Sequence, residues 1–458
     1  MFAARHCDDF MSLAPDRTPR RRILESFLGV PFTDGNQVDV LRNGEEMFPA
    51  LLEGIAASTR SIDLLWFAWR SGAVDGRLTD ALASRAAAGV QVRVLLDAYG
   101  GRRISSDRLS SLRRAGCHVL SYRPLPSARP TVWNLRTHRR VLVCDEALAF
   151  TGGTGIADEW DGDGHHPGSW RDTGVRVAGP AVAGLRAAFA GPWFQTQARW
   201  AGGTPLTPAD RCPPLCGEGT SAVQVLRSSS APGWNDAALA VAALLQTAST
   251  RVRACTPYAR LPHWLLTLVA DTARRGVTVQ LLVSGPHVDR PSVHLQAERQ
   301  FQQLLDAGVE IWRYQPSLMH GKVLTVDRQL SMVGTTNLDV RSLTLNEQVC
   351  LLVDDPSVTA VLDSDFDEDL RASERVTDAG WKIRPVRRRV LEMAADALGR
   401  PLRGWGGAGL AGPRPHLVRS EDKHPSPQRG SRHGPSEEGH GRAGPRITVA
   451  GEHPPSAP

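Results

Sequence analysis

Apolar positions along the chain change period again and again. From Leu78 to Ala88, and again from Leu265 to Arg275, they recur at helical spacing. They then give way to the β-rich runs "VQVRVLLD" at Val90 and "VTVQLLVS" at Val277. Gly89 and Gly276 stand at the two changeovers, where a glycine lets a helix stop and the chain turn into a strand. Helix and strand alternating on this scale predict an α/β fold. Further along, "VRRRVLEMAADALG" sets Val386, Val390, Ala394 and Leu398 on one helical face and Arg387, Arg388 and Arg389 largely off it. That pattern predicts a C-terminal helix docked on the core by its apolar face, with a helix lying on a membrane surface as the alternative.

The same series of patterns occurs twice. "VDVLRN" at Val38 is echoed by "VQVLRS" at Val223, "TRSIDLLWFAW" at Thr59 by "TRVRACTPYAR" at Thr250, and "LSSLRRAGCHVLSYRP" at Leu109 by "FQQLLDAGVEIWRYQP" at Phe301. The spacing between copies stays between 182 and 192 residues, which makes this a duplicated domain rather than a short-period solenoid. The expected organisation is an N-terminal extension over residues 1–36, a first domain over 37–201, a Pro- and Gly-rich linker over 202–221, a second domain over 222–374, a basic helix over 375–400 and a tail over 401–458. Pro and Gly fill 21 of the tail's 58 residues. That exceeds the roughly 25 to 30% typical of disordered composition, so no fold is assigned to the tail.

Composition narrows the classes. The chain has 458 residues, long enough for two cores, and 41% of them are hydrophobic. A net charge of +6 and an isoelectric point near 9.1 favour phosphate-bearing partners only weakly. Seven cysteines, an odd number, do not read as a disulfide framework; Cys144, Cys255 and Cys350 lie in apolar runs and are expected to be buried thiols. Cys212 and Cys216 in "CPPLC" have no second pair of ligands at zinc spacing. No apolar run approaches the roughly 18 residues of a membrane span. The first residues also lack the charge-then-apolar order of a signal peptide, so the expected location is the cytoplasm, with any membrane contact peripheral.

Chemistry concentrates in "MHGKVLTVDRQLSMVGTTN", which holds His320, Lys322, Asp327, Gly334, Thr335 and Asn337. If "HGKVLTV" is extended, His320 and Lys322 point to one side, so an imidazole and an ammonium can face one small anion such as a phosphate. The first copy, "THRRVLVCDEALAFTGGTG", repeats the set as His138, Arg140, Asp145, Gly152 and Gly153. A single histidine on a strand is more often structural than catalytic; two at matching places in a duplication are not.

These residues resemble the phospholipase D superfamily, marked by His-x-Lys-x4-Asp, a Gly-rich segment and Asn, present twice. The flanks "GGTGIADEW", "SWRDTGVRVAGPAV" and "NLDVRSLTLNEQ" are similar to its cardiolipin synthase branch, and the resemblance covers roughly residues 37–400. It implies two mixed sheets flanked by helices, related by a pseudo-twofold axis, with both motifs in one cleft. It also implies phosphatidyl transfer through a phosphohistidine. His138 is then the expected nucleophile and His320 the acid and base. Arg140 and Lys322 would clamp the phosphate, Asp145 and Asp327 complete the catalytic set, and Gly152, Gly153, Thr335 and Asn337 line the phosphate pocket. No metal or other cofactor is required. The expected partner is an anionic phospholipid, phosphatidylglycerol, at the membrane surface.

Each histidine also needs a group to set its tautomer. Asp172 fills that place in the first copy. In the second, the expected acid position holds Gln348, with Glu347 displaced by one residue, and one step along a strand turns a side chain to the other face. The first motif departs from the family at Arg140, where Lys is usual, and at Gly155, where Asn is usual. Arginine is a planar, bidentate cation rather than a point charge. Phospholipase D-type hydrolysis is the nearest rival activity. A nucleic-acid phosphodiesterase would need a basic groove interleaved with stacking aromatics, which the sequence does not show. A non-catalytic lipid-binding relative is the third reading, motivated by Arg140 and Gly155. Nothing in the sequence speaks to oligomeric state.

Overall fold

The computed structural model describes residues 19–124, 134–197, 219–229 and 235–404. Cys7, Cys212 and Cys216, most of the expected linker and the tail from residue 405 lie outside the described residues. In the first copy the strands are β1 (Thr33–Arg42), β2 (Ser61–Trp66), β3 (Gln91–Asp97), β4 (His118–Tyr122), β5 (Arg140–Cys144), β6 (Leu148–Gly152) and β7 (Thr173–Ala178). In the second they are β8 (Ser221–Arg227), β9 (Arg251–Cys255), β10 (Thr278–Ser284), β11 (Glu310–Tyr314), β12 (Val323–Val326), β13 (Leu330–Gly334) and β14 (Val349–Asp354), followed by β15 (Ser373–Val376).

All fifteen form one mixed sheet in the order β15-β11-β10-β9-β12-β13-β14-β8-β1-β7-β6-β5-β2-β3-β4. Read outward from the β8–β1 junction, the two halves have the same order: β1-β7-β6-β5-β2-β3-β4 and β8-β14-β13-β12-β9-β10-β11. Within each half the outer three strands run parallel and the rest antiparallel. The halves join antiparallel, as a twofold relation perpendicular to the sheet demands, and Asn36 faces Ser221 across the join.

The helices expected at Leu78–Ala88 and Leu265–Arg275 are found as Ala73–Ala87 and His263–Arg274. Gly89 and Gly276 both take φ +90°, a conformation that costs any other residue strain, and the chain turns there into β3 and β10. Separate apolar cores lie under the outer part of each half. A third core, with Val141, Val175 and Leu185 from the first copy and Val225, Val333 and Leu351 from the second, welds the halves. Cys144, Cys255 and Cys350 are buried thiols.

β1 begins at Thr33 and its first residues pair with β8. One expectation is corrected here. The C-terminal helix, Val386–Gly404, does dock, but through Arg388, which reaches Glu298, while Val386, Val390 and Ala394 of its apolar face stay exposed.

Asp145 and Asp327, placed by the motif among the catalytic residues, lie at the turns of the β5–β6 and β12–β13 hairpins, with φ of 52°. Asp145 accepts hydrogen bonds from the backbone N–H groups of Thr59, Arg60 and Ser61, and Asp327 from those of Ser249, Thr250 and Arg251. Burial works against each charge, yet the backbone donors prevail and hold both carboxyls below their ordinary value, Asp327 at about 2. These aspartates lock each hairpin to the start of the neighbouring strand, at the end of the strands away from the histidines. Asp327→Ala should therefore cost about 2 kcal/mol of stability in urea unfolding, in the range for charge-assisted hydrogen bonds, while leaving turnover per folded molecule unchanged.

Candidate active site

Each motif histidine enters just before its strand, and its backbone is fastened to the opposite copy. His138 N–H donates to Glu347 O (2.8 Å) and His320 N–H to Arg171 O (2.6 Å). The preceding residues make matching parallel bridges, Thr137 with Glu347 and Met319 with Arg171. Behind them, Asp97 at the end of β3 accepts from Thr137 N–H (3.2 Å), and Ser284 at the end of β10 donates to Met319 O (3.0 Å).

The side chains cross over in the same way. Asp172 was expected to serve the first copy; its Oδ2 instead lies 2.5 Å from Nδ1 of His320, in the second. Gln348 Oε1 lies 3.1 Å from Nδ1 of His138, in the first, and the Thr335 carbonyl lies 3.0 Å from the same nitrogen. Asp172 and Gln348 occupy equivalent places, each two residues before the partner of the motif glycine, since Gly152 pairs with Gly174 and Gly334 with Cys350. Nδ1 of His138 therefore faces acceptors and carries the proton, which leaves its Nε2 as the lone-pair nitrogen, whereas Nδ1 of His320 lies between the Asp172 carboxylate and, at 2.9 Å, Lys322 Nζ.

Glu347 turns away from His138, as the strand alternation requires: its carboxylate accepts from Tyr122 Oη (2.9 Å) and Arg123 Nη2 (2.6 Å). It contributes to the site through its backbone alone. Thr335 does more than line a pocket, because its hydroxyl donates to Gln348 Oε1 (2.6 Å) and accepts from Val349 N–H (3.0 Å). Its equivalent, Gly153, has no room for a side chain: a Cβ there would lie 2.0 Å from Asp172 Oδ1. The short acidic residue with glycine and the longer amide with threonine are two solutions to one problem, a fixed acceptor for the opposite histidine. Gly152 and Gly334 set the strand ends at φ 154° and 158°, each against the backbone of the paired strand.

The two departures from the family pattern also find their reasons. Gly155 is filled from outside, since a Cβ there would meet the Trp160 ring at 2.6 Å. Trp160 donates its Nε1–H to Asp172 Oδ2 (2.8 Å) and packs edge-on against His320, with ring centroids 5.2 Å apart. Trp170 covers the same imidazole at 5.5 Å, and Phe67 covers His138 at 4.7 Å. Sequence reasoning did not identify these aromatics as site residues, although "GIADEW" and "SWRD" contain two of them; an apolar ring beside a histidine has no spacing signature. Arg140 is fully buried, donates from Nε to the Phe67 carbonyl (3.2 Å), and keeps Nη1 buried with no acceptor. Asn337 is buried with its Oδ1 likewise unpartnered.

The electrostatics follow from this burial. Desolvation lowers His138 well below its ordinary value, with Arg140 and Lys322 pushing the same way. Desolvation and Lys322 bring His320 down to about 4, against the pull of Asp172. Lys322, its Nζ 2.9 Å from Nδ1 of His320, falls to about 7 by burial, and Arg140 falls to about 10. Asp172 is itself fully buried, but Lys322, His320 and Arg140 outweigh that burial and hold it ionised. Both imidazoles are neutral at pH 7, the Arg140 guanidinium and the Lys322 amine, which titrates near neutrality, lie beside them, and an orphan guanidinium N–H awaits an acceptor. A phosphate diester fits all of these demands. Among the described residues no group of three or more His, Cys, Asp or Glu side chains is placed to hold a metal ion.

Comparison with known proteins places this arrangement among relatives. The profile of the family described as cardiolipin synthase, PLD-like domain, matches residues 51–159 and 241–370. The chain is 31% identical to the cardiolipin synthase of Geobacillus thermodenitrificans (strain NG80-2) over 391 residues, covering 85% of this chain and 77% of that protein. It is 30% identical to the major cardiolipin synthase of Bacillus subtilis (strain 168) over 369 residues, covering 80% of this chain and 76% of that one. Among solved structures, phosphatidylserine synthase of Haemophilus influenzae Rd KW20 shares the fold with a TM-score of 0.65 at 14% identity, over 84% of this chain and 98% of its own.

Two measurements probe the geometry. Gly153→Ala should displace the Asp172 carboxylate from His320 and lower turnover about 10²-fold, the scale of losing a positioned acid–base group. In Gln348→Glu a carboxylate would stabilise protonated His138. Its pKa rises, the neutral form persists only at higher pH, and the acidic limb of the kcat/KM profile should move to higher pH than in the wild type.

Proposed function

The chain belongs to the cardiolipin synthase family with phospholipase D-like domains, and we propose that its crossed histidine pair joins two phosphatidylglycerol molecules into cardiolipin, with release of glycerol. Phosphatidyl transfer of this type needs a nucleophile for phosphorus, an acid for the departing alkoxide and positive charge at the non-bridging oxygens. The observation that carries the assignment of roles is the difference between the two Nδ1 partners. His138 faces neutral acceptors, Thr335 O and Gln348 Oε1, which hold the ring neutral with its Nε2 lone pair exposed for attack. His320 faces the Asp172 carboxylate, which stabilises an imidazolium and so suits proton transfer.

In the first half-reaction His138 Nε2 attacks phosphorus, the bond to the glycerol headgroup oxygen breaks, and His320 gives that oxygen its proton. The diester's negative charge offsets the neighbouring cations that depress His320 and lets it hold that proton before transfer. In the second, His320 takes the proton from a headgroup hydroxyl of another phosphatidylglycerol. That oxygen attacks phosphorus and His138 leaves. Lys322 and Arg140 hold the non-bridging oxygens throughout, and Arg140 Nη1 gains the acceptor it lacks. Asn337 and the backbone at Gly153 line the same pocket. With water as acceptor the same steps give phosphatidic acid. The enclosure of His138, His320 and Lys322, each less than 10% exposed, favours a lipid hydroxyl over bulk water.

No helix among the described residues is long and apolar enough to cross a membrane. We place the enzyme at the inner membrane surface, as a peripheral protein reaching lipids from the cytoplasmic side.

Purified protein incubated with phosphatidylglycerol vesicles should yield cardiolipin and glycerol in equal amounts. His138→Ala and His320→Ala should each lose at least about 10³-fold in rate. From a ³²P-labelled phosphatidyl substrate whose leaving group needs no acid, such as a nitrophenol, label should be trapped on His320→Ala but not on His138→Ala. Nucleotide release from single-stranded DNA with inert lipid would sink the assignment, and phosphatidic acid as the main product would make the enzyme a hydrolase. Because Lys322 must be charged to hold the phosphate, kcat/KM should fall as pH rises above about 7, and Lys322→Arg should move that alkaline limb to higher pH.

A further inference from the structure

The helix Val386–Gly404 is docked inside out. Its inward side is ionic: Arg388 reaches the fully buried Glu298 (Nε to Oε2, 3.0 Å), and Glu392, 1% exposed, is clamped by Arg384 (3.0 and 2.9 Å). The segment leading into it is anchored by Trp381, buried against Phe301. The opposite side carries Val386, Val390 and Met393, which stand at helical spacing and are 72, 51 and 52% exposed. Ile383, just ahead of the helix, is 83% exposed. Arg387 and Arg389 lie exposed on either flank of this apolar strip. A helix that served only to cover the core would point these residues inward; a clustered apolar patch in water marks a contact surface.

An outward apolar strip between arginines matches the boundary of a bilayer, where apolar side chains enter the acyl region and the guanidinium groups meet lipid phosphates. Its position in the fold agrees. The helix packs on Pro291–Glu298, which is about 12 Å long at eight residues. That helix starts directly after Asp289 and Arg290. It follows β10 after six residues, and Ser284 at the end of β10 donates to the Met319 carbonyl, next to His320.

We propose that the outward face of Val386–Gly404 docks on a bilayer containing anionic phospholipid and so holds the mouth of the site at its lipid substrate. This rests on the phosphatidylglycerol reading above. The test uses the full chain, vesicles of phosphatidylglycerol mixed with phosphatidylcholine or of phosphatidylcholine alone, and a short-chain phosphatidylglycerol kept monomeric. The triple variant Val386→Asp, Val390→Asp, Met393→Asp should bind mixed vesicles at least tenfold more weakly and lose turnover on them in proportion, yet match wild type on the monomeric lipid. Arg387→Gln with Arg389→Gln should cut the preference for anionic vesicles by roughly fivefold per arginine. If the triple variant melts early, the arginine pair carries the test.

Vesicle binding by the variants equal to wild type would overturn the proposal. So would a wild-type oligomer that the triple variant dissociates without loss of vesicle binding, which would give the face to a second copy. Equal loss on vesicles and on monomeric lipid at an unchanged melting temperature would overturn it too, by tying the face to the site itself. A wild type that binds anionic vesicles but makes no cardiolipin would instead refute the catalytic reading and leave the docking in place.

Discussion

Everything at the centre of this protein depends on one exchange between the two copies of the duplicated domain: each histidine is held by the other copy. The backbone N–H of His138 rests on Glu347 and its Nδ1 on Gln348 and Thr335, while His320 rests on Arg171 and Asp172. A hydrogen bond fixes orientation only as well as both partners are fixed, so the sheet that runs unbroken through the β8–β1 junction is what gives the site its precision. Neither copy contains a complete site. The valine-rich core that joins the halves therefore also holds the two histidines in register.

The second constraint is charge. Lys322 and Arg140 are buried beside two histidines, and Asp172 is the carboxylate that hydrogen-bonds within the group. Burying cations without full compensation raises the energy of the empty site, and each group responds by favouring its neutral form: Lys322 toward 7, His320 toward 4. In the proposed reaction a phosphate diester would supply the missing negative charge and the acceptor that Arg140 Nη1 lacks.

The asymmetry between the copies suggests a division of labour. Asp172 with Gly153 puts a charge behind His320; Gln348 with Thr335 puts a dipole behind His138. A charge favours the protonated ring and a dipole favours the neutral one, which is what an acid–base and a nucleophile respectively need. The Arg140 and Gly155 substitutions belong to the same first-copy environment, where the Trp160 ring occupies the space an asparagine would take and donates to Asp172.

Much of this was legible in the sequence. The alternating periods with Gly89 and Gly276 predicted the helices and strands, the offset repeats predicted a duplicated domain, which the fold builds as two equivalent halves of one sheet, and the doubled His-x-Lys/Arg pattern marked the candidate chemistry, because all of these depend on local spacing. The alternation of side chains along a strand left both Glu347 and Gln348 as candidates behind a histidine, and the fold put Gln348 there. Three things came only from the tertiary structure. Which copy's acceptor serves which histidine depends on the crossing of chains more than a hundred residues apart. Asp145 and Asp327 share the motif with the catalytic groups yet bind backbone amides at far hairpins, since five residues of extended strand carry a side chain away from the site. The helix Val386–Gly404 has an apolar face visible in its sequence, but whether that face turns inward or outward was decided by Glu298, a buried carboxylate that claims Arg388. Periodicity states that a helix has two sides; what each side meets is a property of the assembled fold.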